Sequence, residues 1–342
     1  LGITVKLIES ERERAEYLAR KLPNCEVLLG DATDEALLRA ERVSKARTFV
    51  ALTGHDESNL MACLVAQDLE VPKVLALVQR SETSTLWRRM GLEEVFSPRQ
   101  LAYERIKEYI EVCRLALKRE PIVFDGKTVQ VPLPAGEGTG LGKPLKLINH
   151  PVRSEIPIYW ASLMPLSVRE TARSADGWLP VFFVPDSFQQ VWGDDLKKGT
   201  TERADGLDRL DIAAGGMVAI GDEFAGEGAD PILDRGRPNT ALYWGGMGAR
   251  DKNFYNNIAK AYGYEEEAIE IQDLYLDGQK DAAAAAVPRD FLERANLVGP
   301  EGFVKERLGA WKEAGVTTLN IQPVGKDTVA TVEKLRSLID DA

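Results

Sequence analysis

Short apolar runs and charged amphipathic runs alternate through the first third of the chain. VKLIE is followed by RERAEYLARKL, EVLLG by DEALLRAE, TFVALT by ESNLMACLVAQDL and KVLALV by TSTLWRRMG, and EEVFS closes the series. Strands this apolar, each trailed by about ten residues of helical periodicity, predict a parallel sheet covered on both faces. A longer helical pattern, LAYERIKEYIEVCRLALKRE, runs up to Pro121. Beyond it the texture changes to VFDGKTVQVPLPAGEGTGLGKPLKL, which reads as a hairpin and then a Gly/Pro loop. Apolar strands return in IPIYWASL, GWLPVFF, DIAAGGMVAIG and VTTLNIQPV, separated by helical stretches and without a short-period repeat. The expectation is an α/β chain with two domains, residues 1–105 and 106–342.

Composition narrows the classes. The 342 residues suffice for two domains, and 44% hydrophobic with 28% charged residues is ordinary for a globular protein. No stretch reaches the ~18 consecutive apolar residues of a membrane span, and no signal peptide is legible, so a cytoplasmic location is expected. A net charge of -11 speaks against a nucleic-acid partner, because nothing supplies a basic stripe for phosphates. Three separated cysteines, Cys25, Cys63 and Cys113, fit neither a disulfide framework nor a zinc site and read as buried thiols. There are two histidines, no GxSxG and no HExxH, so hydrolase and metalloenzyme readings have no footing and no metal is expected.

In the first segment Glu9, the turn GDATD at 30–34 and ALTGHDESN at 51–59 each follow a strand's carboxyl end, where doubly wound sheets bind ligands. For any one of them helix capping is the simpler account, and DATDEALL offers good N-cap chemistry. Together, the order strand-Glu, GDATD, ALTxxDExN, FSPR resembles the RCK (TrkA-N) nucleotide-binding domain of Trk potassium-uptake regulatory proteins. The resemblance implies a Rossmann-like sheet binding NAD(H) or ATP. It places Glu9 at the ribose, Asp31 and Ala32 near the adenine, and Thr53 and Gly54 along the cleft. It also implies a potassium transporter membrane subunit as partner. That family's first strand and GxGxxG turn would lie before Leu1, so the sheet is expected to be truncated and dinucleotide binding weak or absent.

From about Glu108 onward the stretches EYIEVCRLALKREPIVFDG, TGLGKPLKLINHPVRSEIPIYWASLMP and ADGWLPVFF resemble the luciferase-like (LLM class) oxidoreductases that use the deazaflavin coenzyme F420. So do LYWGGMGARDKNFYNNIAKAYGYEEEAIEIQDLYLDGQKDAAAAAVP and VGPEGFVKERLGAWKEAGVTTLNI. This resemblance implies a partial TIM barrel and hydride transfer between deazaflavin and a small-molecule substrate. It implies that Ala161, Ser162, Leu163 and Met164 touch the cofactor, although many relatives carry glycine where Met164 stands. IPIYWASL also reads directly as a barrel strand whose carboxyl end faces the ligand side. Gly177 and Trp178 in DGWLP are placed at the pocket wall, with a core role for Trp178 equally open. GGMGARDKNF at 245–254 precedes a helix starting near Asn253, and Arg250 and Lys252 suit a phosphate or polyglutamate tail. A plain turn explains any one of those positions as well. Gly215 and Gly216 read as close-packed strand positions.

No catalytic residue is assignable, because that family's ring-aligning contacts come mostly from the first half of its barrel. The favoured function is therefore an F420-dependent oxidoreductase fused to a nucleotide-binding segment and impaired because both sites are incomplete. A nucleotide-sensing subunit of a potassium uptake system is the second reading, and an inactive fusion or fragmentary gene product the third. Open strand edges near IPIYWASL and VTTLNIQPV predict a homo-oligomer.

Overall fold

The computed structural model describes residues 4–79, 83–138, 140–250, 252–325 and 327–340. They form two compact units, Leu1–Ser154 and Glu155–Ala342. The position 105/106 falls inside the unbroken helix Pro98–Leu117.

In the first unit, β1 (Val5–Glu9) and β2 (Cys25–Leu29) pair in parallel, Val5 opposite Cys25 and Glu9 opposite Leu29. A second parallel sheet has the order β3 (Phe49–Ala51), β4 (Val74–Leu77), β5 (Glu94–Phe96). All five expected strands are present, but among the described residues no pairing joins β1 to β3. The core of this unit gathers Ala62, Cys63 and Ala66 of the helix Asp56–Asp68 with Val74, Ala76, Val78, Trp87 and Leu92. Ser97 caps the helix Pro98–Leu117, its side chain accepting from the Gln100 amide, and proline fits the first turn because its missing N–H has no partner there. The helical pattern runs on to Glu120, yet the helix stops at Leu117 and Arg119 turns left-handed at φ 58°.

The expected hairpin is formed by antiparallel β6 (Phe124–Asp125) and β7 (Gln130–Val131). Its turn closes on the Glu108 carboxylate, which accepts from the amides of Lys127 (2.7 Å), Thr128 (2.9 Å) and Val129 (2.8 Å) and from the Thr128 hydroxyl (2.6 Å).

The second unit holds β8 (Tyr159–Trp160), β9 (Gly177–Trp178), β10 (Asp211–Ala214), β11 (Met217–Ile220), β12 (Leu297–Gly299), β13 (Thr318–Leu319) and β14 (Gln322–Pro323). All pair in parallel, in the orders β13-β10-β9-β8 and β12-β11-β14. The apolar run DIAAGGMVAIG is therefore two strands, interrupted at Gly215 and Gly216. A Cβ at 215 would lie 1.9 Å from the Asn320 carbonyl oxygen, and one at 216 would lie 2.5 Å from that of Ala295. Only glycine permits that approach. Trp178, Trp192, Trp244, Trp311 and Phe291 are the largest fully buried side chains of this core. Their rings meet mostly edge-on or tilted, as Trp178 and Trp192 do at 5.2 Å and 82°, an arrangement that adds to the burial of their area.

The reading of the cysteines needs correction. Cys63 is buried, but Cys25 is half-buried and Cys113 exposed, because the helix Pro98–Leu117 buries none of its residues. Among the described residues no helix is long and apolar enough to cross a membrane.

Candidate functional site

The carboxyl end of β8 is held by two indoles. The Trp178 ring nitrogen donates to the Ser162 carbonyl and that of Trp192 to the Leu163 carbonyl, both at 2.9 Å. The Ser162 hydroxyl lies 2.7 Å from that of Thr171, and Ser162 is only 5% exposed. Ala161, Ser162, Leu163, Met164 and Trp178 are thus brought together, but with unequal roles. Trp178 is 0% exposed and supports the strand end rather than walling a pocket. Gly177 lies beneath the Tyr159 ring, whose nearest atom would sit 2.2 Å from an added Cβ.

What stays open is Ala161, Met164 and the start of the helix at Pro165. Met164 occupies the N-cap without a side-chain cap bond, so the first amides of that helix lack an intrahelical partner. Beside it opens a cleft of ≈ 160 Å³ lined by Leu163, Met164, Pro165, Val191, Phe254, Asn257 and Ile258.

The glycine-rich loop serves its own packing. Gly245 and Gly246 end a π-helical turn, Leu242–Gly246, and a Cβ on either would meet the Tyr275 side chain at 2.5 or 2.4 Å. Asn253 caps the helix Phe254–Ala261 and its amide donates back to the carbonyls of Tyr243 (2.8 Å) and Trp244 (3.0 Å). The Asn256 amide reaches the carbonyls of Trp244 (2.9 Å) and Ala268 (2.6 Å). Arg250 pairs with Asp273 at the surface and Lys252 is exposed; Asp251 lies outside the described residues. Among the described residues no hydrogen bond or ion pair ties Arg250 or Lys252 to the end of β8.

In the first unit the expected ligand groups are occupied internally. Glu9 accepts from the Glu11 amide at 3.0 Å and pairs with Arg14 at 3.2 Å. One Asp31 oxygen accepts from both the amide and the hydroxyl of Thr33 at 2.8 Å, and these bonds hold its carboxyl below the ordinary range. Asp34 caps the next helix through the amides of Ala36 and Leu37. Pairing of β1 with β2 sets Glu9 beside the turn, where the Gly30 amide donates to the Glu9 carbonyl at 2.9 Å, and Ala32 packs partly into the core. Thr53 is fixed by Asn59, fully buried, which takes the Thr53 amide at 2.8 Å and donates to the carbonyls of Thr53 and Leu77. Gly54 faces open space.

Several polar groups escape a reading of the sequence. Asp186 receives both terminal nitrogens of Arg307 (3.0 and 2.8 Å), a residue 8% exposed, and lies 3.5 Å from Arg294; the Arg307 bonds hold its carboxyl below the ordinary range. Tyr159, Thr317 and Thr318 converge on Asp211. Neither cluster has a local motif, since its members lie many residues apart. Asn59 is the exception, standing within the quoted ALTGHDESN.

The luciferase-like monooxygenase family matches residues 80–318, and the TrkA-N domain matches residues 2–98. A Mycobacterium tuberculosis protein named for coenzyme F420-dependent oxidoreductase activity is 35% identical over 247 residues, 70% of this chain and 66% of that protein. The Trk system potassium uptake protein TrkA of Vibrio alginolyticus is 35% identical over 107 residues, 31% of this chain and 23% of that protein. The chain thus spans under two thirds of the length of either relative. Among solved structures, the coenzyme F420 dependent tetrahydromethanopterin reductase of Methanopyrus kandleri aligns over 99% of this chain and 98% of its own with a TM-score of 0.52 and 16% identity, a likeness of fold. Residues 2–98 are similar to the TrkA-N domain, and the chain belongs to the luciferase-like monooxygenase family, matched over residues 80–318.

Proposed function

We propose that the chain is an F420-dependent oxidoreductase of the luciferase-like class whose second unit retains cofactor binding in weakened form. The carrying observation is the end of β8, where the exposed residue Ala161 adjoins the uncapped start of the helix Pro165–Ser174 within the family match. Unpartnered amides at a helix N-terminus suit a phosphate. Arg250 and Lys252, exposed on their loop, suit an anionic tail. Ser162, Trp178 and Gly177 do not fit as direct contacts, being buried and engaged, and they position the strand end instead. When bound, the deazaflavin supplies a hydride to, or takes one from, a small organic substrate.

The cleft beside Met164 contains no ionisable side chain, so nothing in its lining delivers a proton to a reduced product. Binding with slow turnover is the expected behaviour, since a missing proton donor forfeits the ~100-fold or more that general acid catalysis contributes. Equilibrium dialysis against F420, paired with a stopped-flow absorbance assay, tests this. Rapid substrate-dependent reoxidation of reduced F420 contradicts the impairment, and no measurable binding removes the reading.

A second reading, nucleotide sensing within a potassium uptake system alongside a membrane subunit, is favoured by the TrkA-N match and by Glu9 and Asp31 standing at adjacent strand ends. Both carboxylates are engaged internally, so NAD(H) and ATP bind only weakly on this reading. Sub-micromolar NAD(H) affinity by isothermal titration overturns that weakness.

A further inference from the structure

We infer that the cleft between Met164 and the helix Phe254–Ala261 is a binding site for a small uncharged molecule with one ring-sized apolar body, the reducible substrate of the second unit. As a substrate seat it rests on the oxidoreductase reading; as a binding cleft it stands on its own lining. That lining is Leu163, Met164, Pro165, Val191, Phe254 and Ile258, with Asn257 as its one polar side chain.

Size and polarity define the ligand. A cavity of ~150 Å³ lined by Leu, Ile and Phe accepts benzene, and this cleft measures ≈ 160 Å³. A single ring or a branched alkyl group of five to six carbons, about that volume, fills it. An ammonium group has no opposite charge there to offset its desolvation, so a cation of the same shape is rejected. The exposed Asn257 amide can donate or accept, which suits one neutral carbonyl or hydroxyl on the ligand.

The walls combine fixed and adaptable parts. The Leu163 carbonyl is pinned by Trp192, neighbour of Val191, and Pro165 restricts the backbone next to it. Met164, 37% exposed, and Phe254, 43% exposed, form the part that can re-pack around different apolar shapes. The cleft therefore selects for charge and size more than for detailed outline.

The full chain labelled with ¹³C-methyl methionine provides the test, with five methionine signals and Met164 assigned through Met164→Leu. Benzyl alcohol should shift the Met164 methyl saturably and leave Met61 and Met90 unmoved. Benzylammonium, the same ring with a cationic group, should bind at least about tenfold more weakly. Asn257→Trp, at an exposed position, should occupy the mouth and weaken benzyl alcohol about fivefold or more, with the unchanged methyl of buried Met217 reporting an intact core. A Met164 signal unmoved at saturating benzyl alcohol, equal binding of benzylammonium, or indifference to Asn257→Trp overturns the inference. F420 titrated separately distinguishes the two readings. Benzyl alcohol binding without F420 binding leaves the cleft and removes the oxidoreductase reading, and F420 binding without benzyl alcohol binding removes the cleft.

Discussion

Tyr159 donates its hydroxyl to the carboxylate of Asp211 across the intervening strand β9, and Gly177 is the residue that lets the ring lie there. Asp211 also accepts from Thr317 and from Thr318, the latter at 2.9 Å to both oxygens, so one carboxylate ties β8, β10 and β13 together. Asp211→Ala removes the shared acceptor of three hydroxyls, all on exposed residues that water can then satisfy, and should cost about 1.5–2 kcal/mol. For a unit of this size that is a fall of ~3–8 °C in the melting temperature. Tyr159→Phe, which removes one donor, should cost about 1 kcal/mol. Calorimetry on the two variants checks the order; equal melting temperatures for wild type and Asp211→Ala would refute the clamp.

The same clamp predicts an acid dependence. Burial raises the Asp211 pKa, but the bonds from Thr317, Tyr159 and Thr318 outweigh it and hold the folded-state value below the ordinary one. A carboxyl depressed by folding contributes in full above its unfolded pKa of ~3.9 and loses that contribution as pH falls through its folded value. Asp211→Asn should therefore flatten the stability of the second unit between about pH 4 and pH 2 relative to wild type. Urea midpoints measured across that range decide it.

Glu108 offers a comparable test in the first unit. Its carboxylate satisfies three amides and one hydroxyl of the hairpin turn. Glu108→Gln keeps the shape but halves the acceptor capacity and removes the charge, and should cost about 1.5–3 kcal/mol locally. Amide exchange at Lys127, Thr128 and Val129 should accelerate by an order of magnitude or more while that of Val74 and Ala76 stays unchanged. Unaltered exchange in the turn would show that Glu108 does not hold it.

The strands of the first unit were legible because each is a continuous apolar run bounded by charged helix; β1, β3, β4 and β5 fall within the expected segments and β2 begins one residue before its own. The split of DIAAGGMVAIG was not, since the contacts that forbid a side chain at Gly215 and Gly216 come from Asn320 and Ala295, far along the chain. β12, three residues long, is too short to show a period. At the candidate site the reading named the stretch Ala161–Met164, but it could not rank those residues. Whether Ser162 and Trp178 point at a ligand or at Thr171 and a strand carbonyl depends on packing that spacing does not encode.

Cysteine reactivity follows from burial. Desolvation pushes the Cys63 thiol up to about 12, and its Sγ lies 3.5 Å from the Leu75 carbonyl inside the core. Only the thiolate reacts with disulfide reagents, so Cys63 should label solely on unfolding. Exposed Cys113 should label first, and Cys113→Ser should abolish the fast phase. A fast phase surviving in that variant would contradict the assigned exposures.

The Arg250–Asp273 pair makes the cofactor proposal testable from two sides. Both side chains are more than half exposed, at 59% and 52%, and an exposed pair contributes about 0.2–1 kcal/mol. An anionic ligand tail that recruits Arg250 must displace Asp273, so the carboxylate competes with the ligand. Arg250→Ala should weaken F420 binding about two- to tenfold, whereas Asp273→Asn, which frees the guanidinium, should strengthen it up to about fivefold. Raising the salt concentration should narrow both differences, because exposed charges are screened beyond ~10 Å at 0.1 M. The opposite signs matter more than the magnitudes: a purely structural role for the pair would make both substitutions weaken binding through loss of the same surface contact. Dialysis of F420 against the three proteins at two salt concentrations separates these outcomes, and weakening by Asp273→Asn would remove Arg250 from the proposed site.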